Sequence, residues 1–215
     1  MAQDIKTLVA SHDKVFDPIP EEVGGPENGV IIQEDGDTVR LGYITHDPEP
    51  MDFWQSADGL GELKLFKRGD DPNALMEGHR ARGEAPLLVE RYAHGAEHYS
   101  VVGTRNYPDR QWDVGLCGIF LPCEEVTKRY HADLDPDAPG AAWNKLVEDS
   151  NNVLSEFSKT VNGEVYGIVV EELRREGDAL VRDDYESVWG HIGSDWAVEA
   201  LGEMMPDPEL ETPAP

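Results

Sequence analysis

Residues 111–122, Gln-Trp-Asp-Val-Gly-Leu-Cys-Gly-Ile-Phe-Leu-Pro, set a large aromatic, a carboxylate and two glycines directly ahead of an apolar run. That order predicts a tight loop feeding a buried strand, because glycine accepts backbone turns that other residues resist and an unbroken apolar run must be hidden from water. The rest of the chain has to supply the neighbours of that strand. No side chain in the stretch identifies a reaction, so it is a structural centre first.

Several segments can serve as neighbours. Val30-Ile31-Ile32 and the run from Val39 to Ile44 flank Glu34-Asp35-Gly36-Asp37, whose Asp-Gly pair supplies the positive φ that a hairpin turn needs. Residues 46–66 mix Phe53, Trp54, Leu63 and Phe66 with Asp, Gly and Pro, which predicts an ordered loop ending in a short strand. Asp70-Asp71-Pro72 predicts a helix start, with carboxylates for the free amides and proline in the first turn. Pro86 to Tyr92 and His98 to Val102 read as two strands, and Glu124 to His131 as a short helix.

Two helices dominate the C-terminal half. From Ala141 to Thr160, Trp143, Leu146, Val147, Val153, Leu154 and Phe157 recur at helical spacing, and Asn162-Gly163 stops the run. Val165 to Leu173 reads as a strand with Tyr166, Ile168 and Val170 on one face. Its partner is read at Tyr185 to Gly190, across a charged connection. Ser194 or Asp195 is expected to cap a last helix carrying Trp196, Ala197, Ala200 and Leu201. The expected fold is α+β, a single domain over residues 29–205, with an antiparallel-rich sheet and two main helices on one face. Residues 1–28 read as an arm or linker, and 206–215 as a disordered acidic, proline-rich tail.

Charge limits the partners. With 44 acidic and 18 basic residues the chain carries a formal charge of -26, a field that repels nucleic acid and anionic membranes and favours basic proteins. The acid is dense at residues 133–137, 171–176 and 183–186. Adaptation to high salt gives an alternative account, supported by acid spread along the chain and by Arg outnumbering Lys. Two cysteines, Cys117 and Cys123, make no disulfide framework, and no charged-then-apolar leader opens the sequence. A soluble protein of a reducing compartment is therefore expected.

Trp112-Asp113-x-Gly115-x-x-Gly118, Asn162-Gly163-Glu164-Val165-Tyr166-Gly167 and Ser187-Val188-Trp189-Gly190-x-x-Gly193-x-Asp195 follow one another in order. Together they resemble a family of uncharacterised proteins encoded by tailed phages and related mobile elements. Tyr92-Ala93-His94-Gly95 is similar to that family's Tyr-Asp-His-Ser-Gly segment, with Ala93 in place of the acid. Val188 stands where the family usually has Cys, and its Cys-Pro pair before the tryptophan is missing. The resemblance covers roughly Tyr92 to Trp196 and implies a lineage, with no established activity, cofactor or catalytic residue.

Candidate chemistry is sparse. His94, His98 and Asp113 are of the residue types that bind zinc or iron, although a hairpin-like loop does not force them together as a helix would. Asp133, Asp135 and Asp137 resemble half a calcium loop, but Ala138 and Asn144 replace the glycine and glutamate that shape and close it. Trp112 and Trp189 read as packing residues at strand ends, or as a ligand platform. Asp113 either bonds its own turn or forms an acid–base pair with His94. No nucleophile elbow or phosphate-cradling loop is present, and no cofactor is expected.

The expected function is that of a non-enzymatic phage or viral accessory protein that binds a host or viral protein in the host cytoplasm. Its sharpest form is an acidic inhibitor of a host defence or nucleic-acid-binding complex, using Trp112, Asp113, Trp189, Glu171, Glu172, Asp183 and Asp184. The alternatives are a small metal-dependent hydrolase centred on His94, His98 and Asp113, or a virion-associated structural protein.

Overall fold

A computed structural model of the chain describes residues 4–16, 29–56, 60–125, 127 and 140–206. The strands are antiparallel and form two four-stranded sheets, and the chain is α+β. It divides into two compact units, Met1–Pro50 with Gly163–Pro215, and Met51–Asn162. Among the described residues no helix is long and apolar enough to cross a membrane.

The first unit contains α1 (Ile5–Ser11), β1 (Val30–Asp35) and β2 (Thr38–His46), and also β7 (Val165–Glu176), β8 (Ala179–Ile192) and α6 (Ser194–Met204). Its strand order is β1-β2-β7-β8. Gly36, at φ 62°, turns β1 into β2 where the Asp-Gly pair predicts a hairpin. Both faces of this sheet are covered. Val9 of α1 packs with Leu41, Tyr43, Val169 and Leu173, while Ala197 and Leu201 of α6 pack with Ile44, Tyr166, Ile168 and Val170. Central β7 is consequently buried at every position from Val165 to Glu171, as a strand covered on two sides must be.

Two expectations for this unit change. The charged stretch after Leu173 is no loop: β7 runs to Glu176, turns through Gly177 and Asp178, and pairs with β8 from Ala179 onward. Charged side chains suit an edge strand exposed to water, and Arg174 bridges to Asp183 across the ladder and to Glu176 along its own strand. The last helix is capped by Gly193 at φ 88°, with no side-chain cap; Asp195 instead sits in its first turn, where the helix dipole favours a carboxylate. Trp189 does pack, and it does so through a bulge. The register shifts between Tyr166 and Ile168, with Gly190 at φ 89°, and the Trp189 ring folds over Gly167 where any β-carbon would collide with it. Phe16 meets the ring edge-on at 4.9 Å. Trp189→Ala is expected to cost about 3 kcal/mol of stability, measured by denaturant unfolding; a parental midpoint and slope would remove the packing role.

The second unit contains α2 (Phe53–Ser56), β3 (Gly61–Leu65), α3 (Pro72–Arg80), β4 (Leu87–Ala93), β5 (Glu97–Val101), α4 (Arg110–Asp113), β6 (Val114–Pro122) and α5 (Ala141–Val161). Its strand order is β3-β6-β4-β5, so the apolar run after Trp112 becomes an inner strand with Ile119, Phe120 and Leu121 buried. Gly118 lies so close to the Lys64 carbonyl of β3 that a side chain would not fit. Asp71 caps α3 by accepting from the amides of Asn73 and Ala74. One face of α5 packs Leu154 and Phe157 against Leu87, Val89, Tyr99, Val101 and Phe120. The helix ends at Asn162, with Gly163 at φ 79°, as the sequence predicts.

The two main helices do not share the face of one sheet. Each packs within its own unit, α6 on the first sheet and α5 on the second, because each sheet has its own apolar surface to bury. The 17–28 part of the N-terminal arm, most of the helix expected at 124–131, the Asp133-Asp135-Asp137 segment and the tail from residue 207 lie outside the described residues.

Candidate functional site

The sequence-derived candidates separate into two places. In the second unit, Asp109 at φ 52° starts the single turn of α4, accepting from the amides of Trp112 and Asp113. The inward positions of that turn are both taken by charged pairs. Arg110 forks onto Glu90, with Nη1 3.1 Å from Oε1 and Nη2 bonded to Oε2, and Glu90 is 2% exposed. Three residues on, Asp113 Oδ2 accepts from His94 Nδ1 at 2.9 Å. Positions three apart lie on one side of a helical turn, so Arg110 and Asp113 point to the protein and Trp112 points away.

Trp112 is 80% exposed. The packing role expected for it is thereby overturned, since anchoring the turn through 110 and 113 leaves the indole no core to enter. In the same unit Tyr92 stacks on Tyr107 at 4.7 Å and lies 6.1 Å from both His94 and His98. The Tyr107 hydroxyl donates to Ser100 Oγ at 3.0 Å, which fixes the stack. Leu116, 54% exposed, is also at the surface of this unit. His94 and Asp113 are brought together, as an acid–base pair would need, but His98 lies against Tyr92. Among the described residues no three His, Cys, Asp or Glu side chains are placed to hold a metal ion.

In the first unit, Glu171 is not on the acidic surface where the charge run suggests it. It is fully buried on the α1 face of β7, between Val169 and Leu173 in strand alternation. Its carboxylate accepts from the Tyr43 hydroxyl at 2.7 Å, the Val15 amide at 2.9 Å and His12 Nε2 at 3.0 Å, and Arg182 Nη1 approaches to 3.6 Å. Burial alone would raise the carboxyl pKa, but the hydrogen bonds from Val15, His12 and Tyr43 outweigh it and hold the group below its ordinary value. Burial, with Glu171 alongside, raises the Tyr43 hydroxyl.

Glu172, Asp183 and Asp184 are exposed, as expected, and Glu172 lies opposite Asp184 in the ladder. They are interleaved with cations. Arg174 pairs with Asp183, and Arg40 with Glu186, so this face is a mixture of both signs rather than an acidic block. The residues that sequence reasoning missed are Arg110, Glu90, Tyr107, His12, Tyr43 and Arg182. Only the Arg110/Asp113 spacing around Trp112 carried a local signal.

No family model matches the chain, and no solved structure matches it. A stretch of 76 residues, 33% of this chain, is 29% identical to dolichyl-phosphooligosaccharide-protein glycotransferase 3 of Archaeoglobus fulgidus. The match covers 9% of that enzyme's length.

Proposed function

We propose that this chain is a non-enzymatic accessory protein of a tailed phage or other virus, acting in the host cytoplasm by binding another protein through the face around Trp112. The observation that carries the reading is the exposed indole on a turn anchored from both sides by Arg110–Glu90 and Asp113–His94. An exposed tryptophan on a turn tied down at its neighbours loses little backbone freedom on binding and offers a large apolar surface, and tryptophan is enriched where interfaces are strongest. The net charge of -26 adds long-range attraction for a basic surface, the kind presented by a nucleic-acid-binding complex of the host.

Trp112→Ala is the test. Because the side chain is mostly in water, the variant is expected to unfold within about 0.5 kcal/mol of the parent. Its partner affinity is expected to fall by about 2 kcal/mol or more, roughly thirtyfold in Kd. Trp196→Ala serves as the control, since that indole is 68% exposed on α6 of the other unit. Partner capture from infected cells that survives Trp112→Ala and is lost with Trp196→Ala would move the binding face to the first unit.

A further inference from the structure

The first unit contains a cavity of about 450 Å³ between the end of α1 and the β7–β8 turn. Its polar walls carry Arg182 and His12, and also Asp13 and Asp178; Leu8 and Leu180 add an apolar patch. The volume is within the roughly 300 to 1,000 Å³ of small-molecule sites.

Buried Glu171 organises this lining. His12, with its side chain 7% exposed, is tied to one Glu171 oxygen at 3.0 Å, and Arg182 approaches the same oxygen at 3.6 Å while 39% exposed. A guanidinium has five N–H donors in a fixed fork, so Arg182 can face Glu171 and keep donors for a ligand. The cation is therefore positioned before anything binds.

Charge selects the ligand class. A simple anion attracted by Arg182 would meet Asp13, Asp178 and the field of a strongly acidic chain. A simple cation attracted by the two aspartates would meet Arg182, and an apolar molecule would cover Asp13, Asp178 and the remaining Arg182 donors without pairing them. A small zwitterion satisfies both signs, and an aliphatic group on it can cover Leu8 and Leu180. We propose that this cavity binds a free α-amino acid with an aliphatic side chain, its carboxylate on Arg182 and its ammonium toward Asp13 and Asp178. The site is separate from the Trp112 face, and either reading can fail without the other.

The test is titration calorimetry on the full chain with L-leucine, isovalerate and isoamylamine at matched ionic strength. These compounds share the aliphatic group and differ in which charges they carry. Saturable binding of L-leucine, at least about tenfold tighter than either single-charge analogue, is the expected result. Asp178→Asn, an exposed turn position remote from the core, should weaken leucine by about tenfold without changing the melting temperature, and Arg182→Gln should weaken it by a similar factor. Because Arg182 also approaches Glu171, Asp178→Asn decides the matter if Arg182→Gln is poorly folded. The proposal is overturned if none of glycine, alanine, leucine and valine binds up to about 10 mM, if a single-charge analogue binds as well as leucine, or if Asp178→Asn leaves the affinity unchanged.

Discussion

Glu171→Ala is expected to lower the unfolding free energy by about 3 to 5 kcal/mol at neutral pH, the usual loss when one member of a buried, hydrogen-bonded charge cluster is removed. The side chain is fully buried, so its deletion leaves Tyr43, the Val15 amide and His12 without their common acceptor. Segment 12–16 is held to the sheet through these same bonds, and should lose hydrogen-exchange protection along with α1. The sign of the pH dependence follows from the depressed pKa. A carboxyl that is more acidic when folded contributes fully above its ordinary value of about 4.5 and loses that contribution as pH falls through the lower folded value. The parent should therefore weaken below about pH 4.5 more steeply than Glu171→Gln does. Equal slopes for parent and variant in urea unfolding at several acidic pH values would show that this group does not govern acid stability.

Arg110→Ala is expected to cost about 2 to 4 kcal/mol, because it leaves the Glu90 carboxylate buried without its fork of donors. The figure sits below that for Glu171 because the Arg110 side chain is 43% exposed and water can partly replace it. Adding Glu90→Gln should recover most of the loss, since a neutral amide is far cheaper to bury than an unpaired charge. Additive losses in that double-mutant cycle would mean the two side chains do not act as a pair. Partner binding should fall in Arg110→Ala although Trp112 is intact, because α4 loses the bond that aims the indole outward.

Local chemistry made much of the secondary structure legible. The Asp35-Gly36 hairpin, the Asp71 cap, the α5 stripe with its Asn162-Gly163 stop and the apolar run of β6 each depend on a few neighbouring residues, whose preferences act over the same short distance. The Trp189-Gly190 motif was visible as a pattern. Its meaning, a bulge that lays the indole over Gly167, required the opposite strand.

Trp112 and Glu171 mark the boundary most clearly. The sequence by itself determined that a tryptophan and a carboxylate precede a buried strand, and that β7 alternates apolar residues with Glu171 in phase with Val169 and Leu173. It did not determine that the Glu171 face of β7 is covered, because that depends on α1 and the segment that follows it, more than 150 residues away in the chain, which supplies His12 and the Val15 amide. Only the tertiary structure decided that Glu171 is buried as a hydrogen-bonded carboxylate, that Trp112 is turned outward by the pairs Arg110–Glu90 and Asp113–His94, and that the strands divide into two separate sheets. Each of these outcomes depends on side chains far apart in sequence, and a charge's free energy is set by the groups around it in space rather than by its neighbours along the chain.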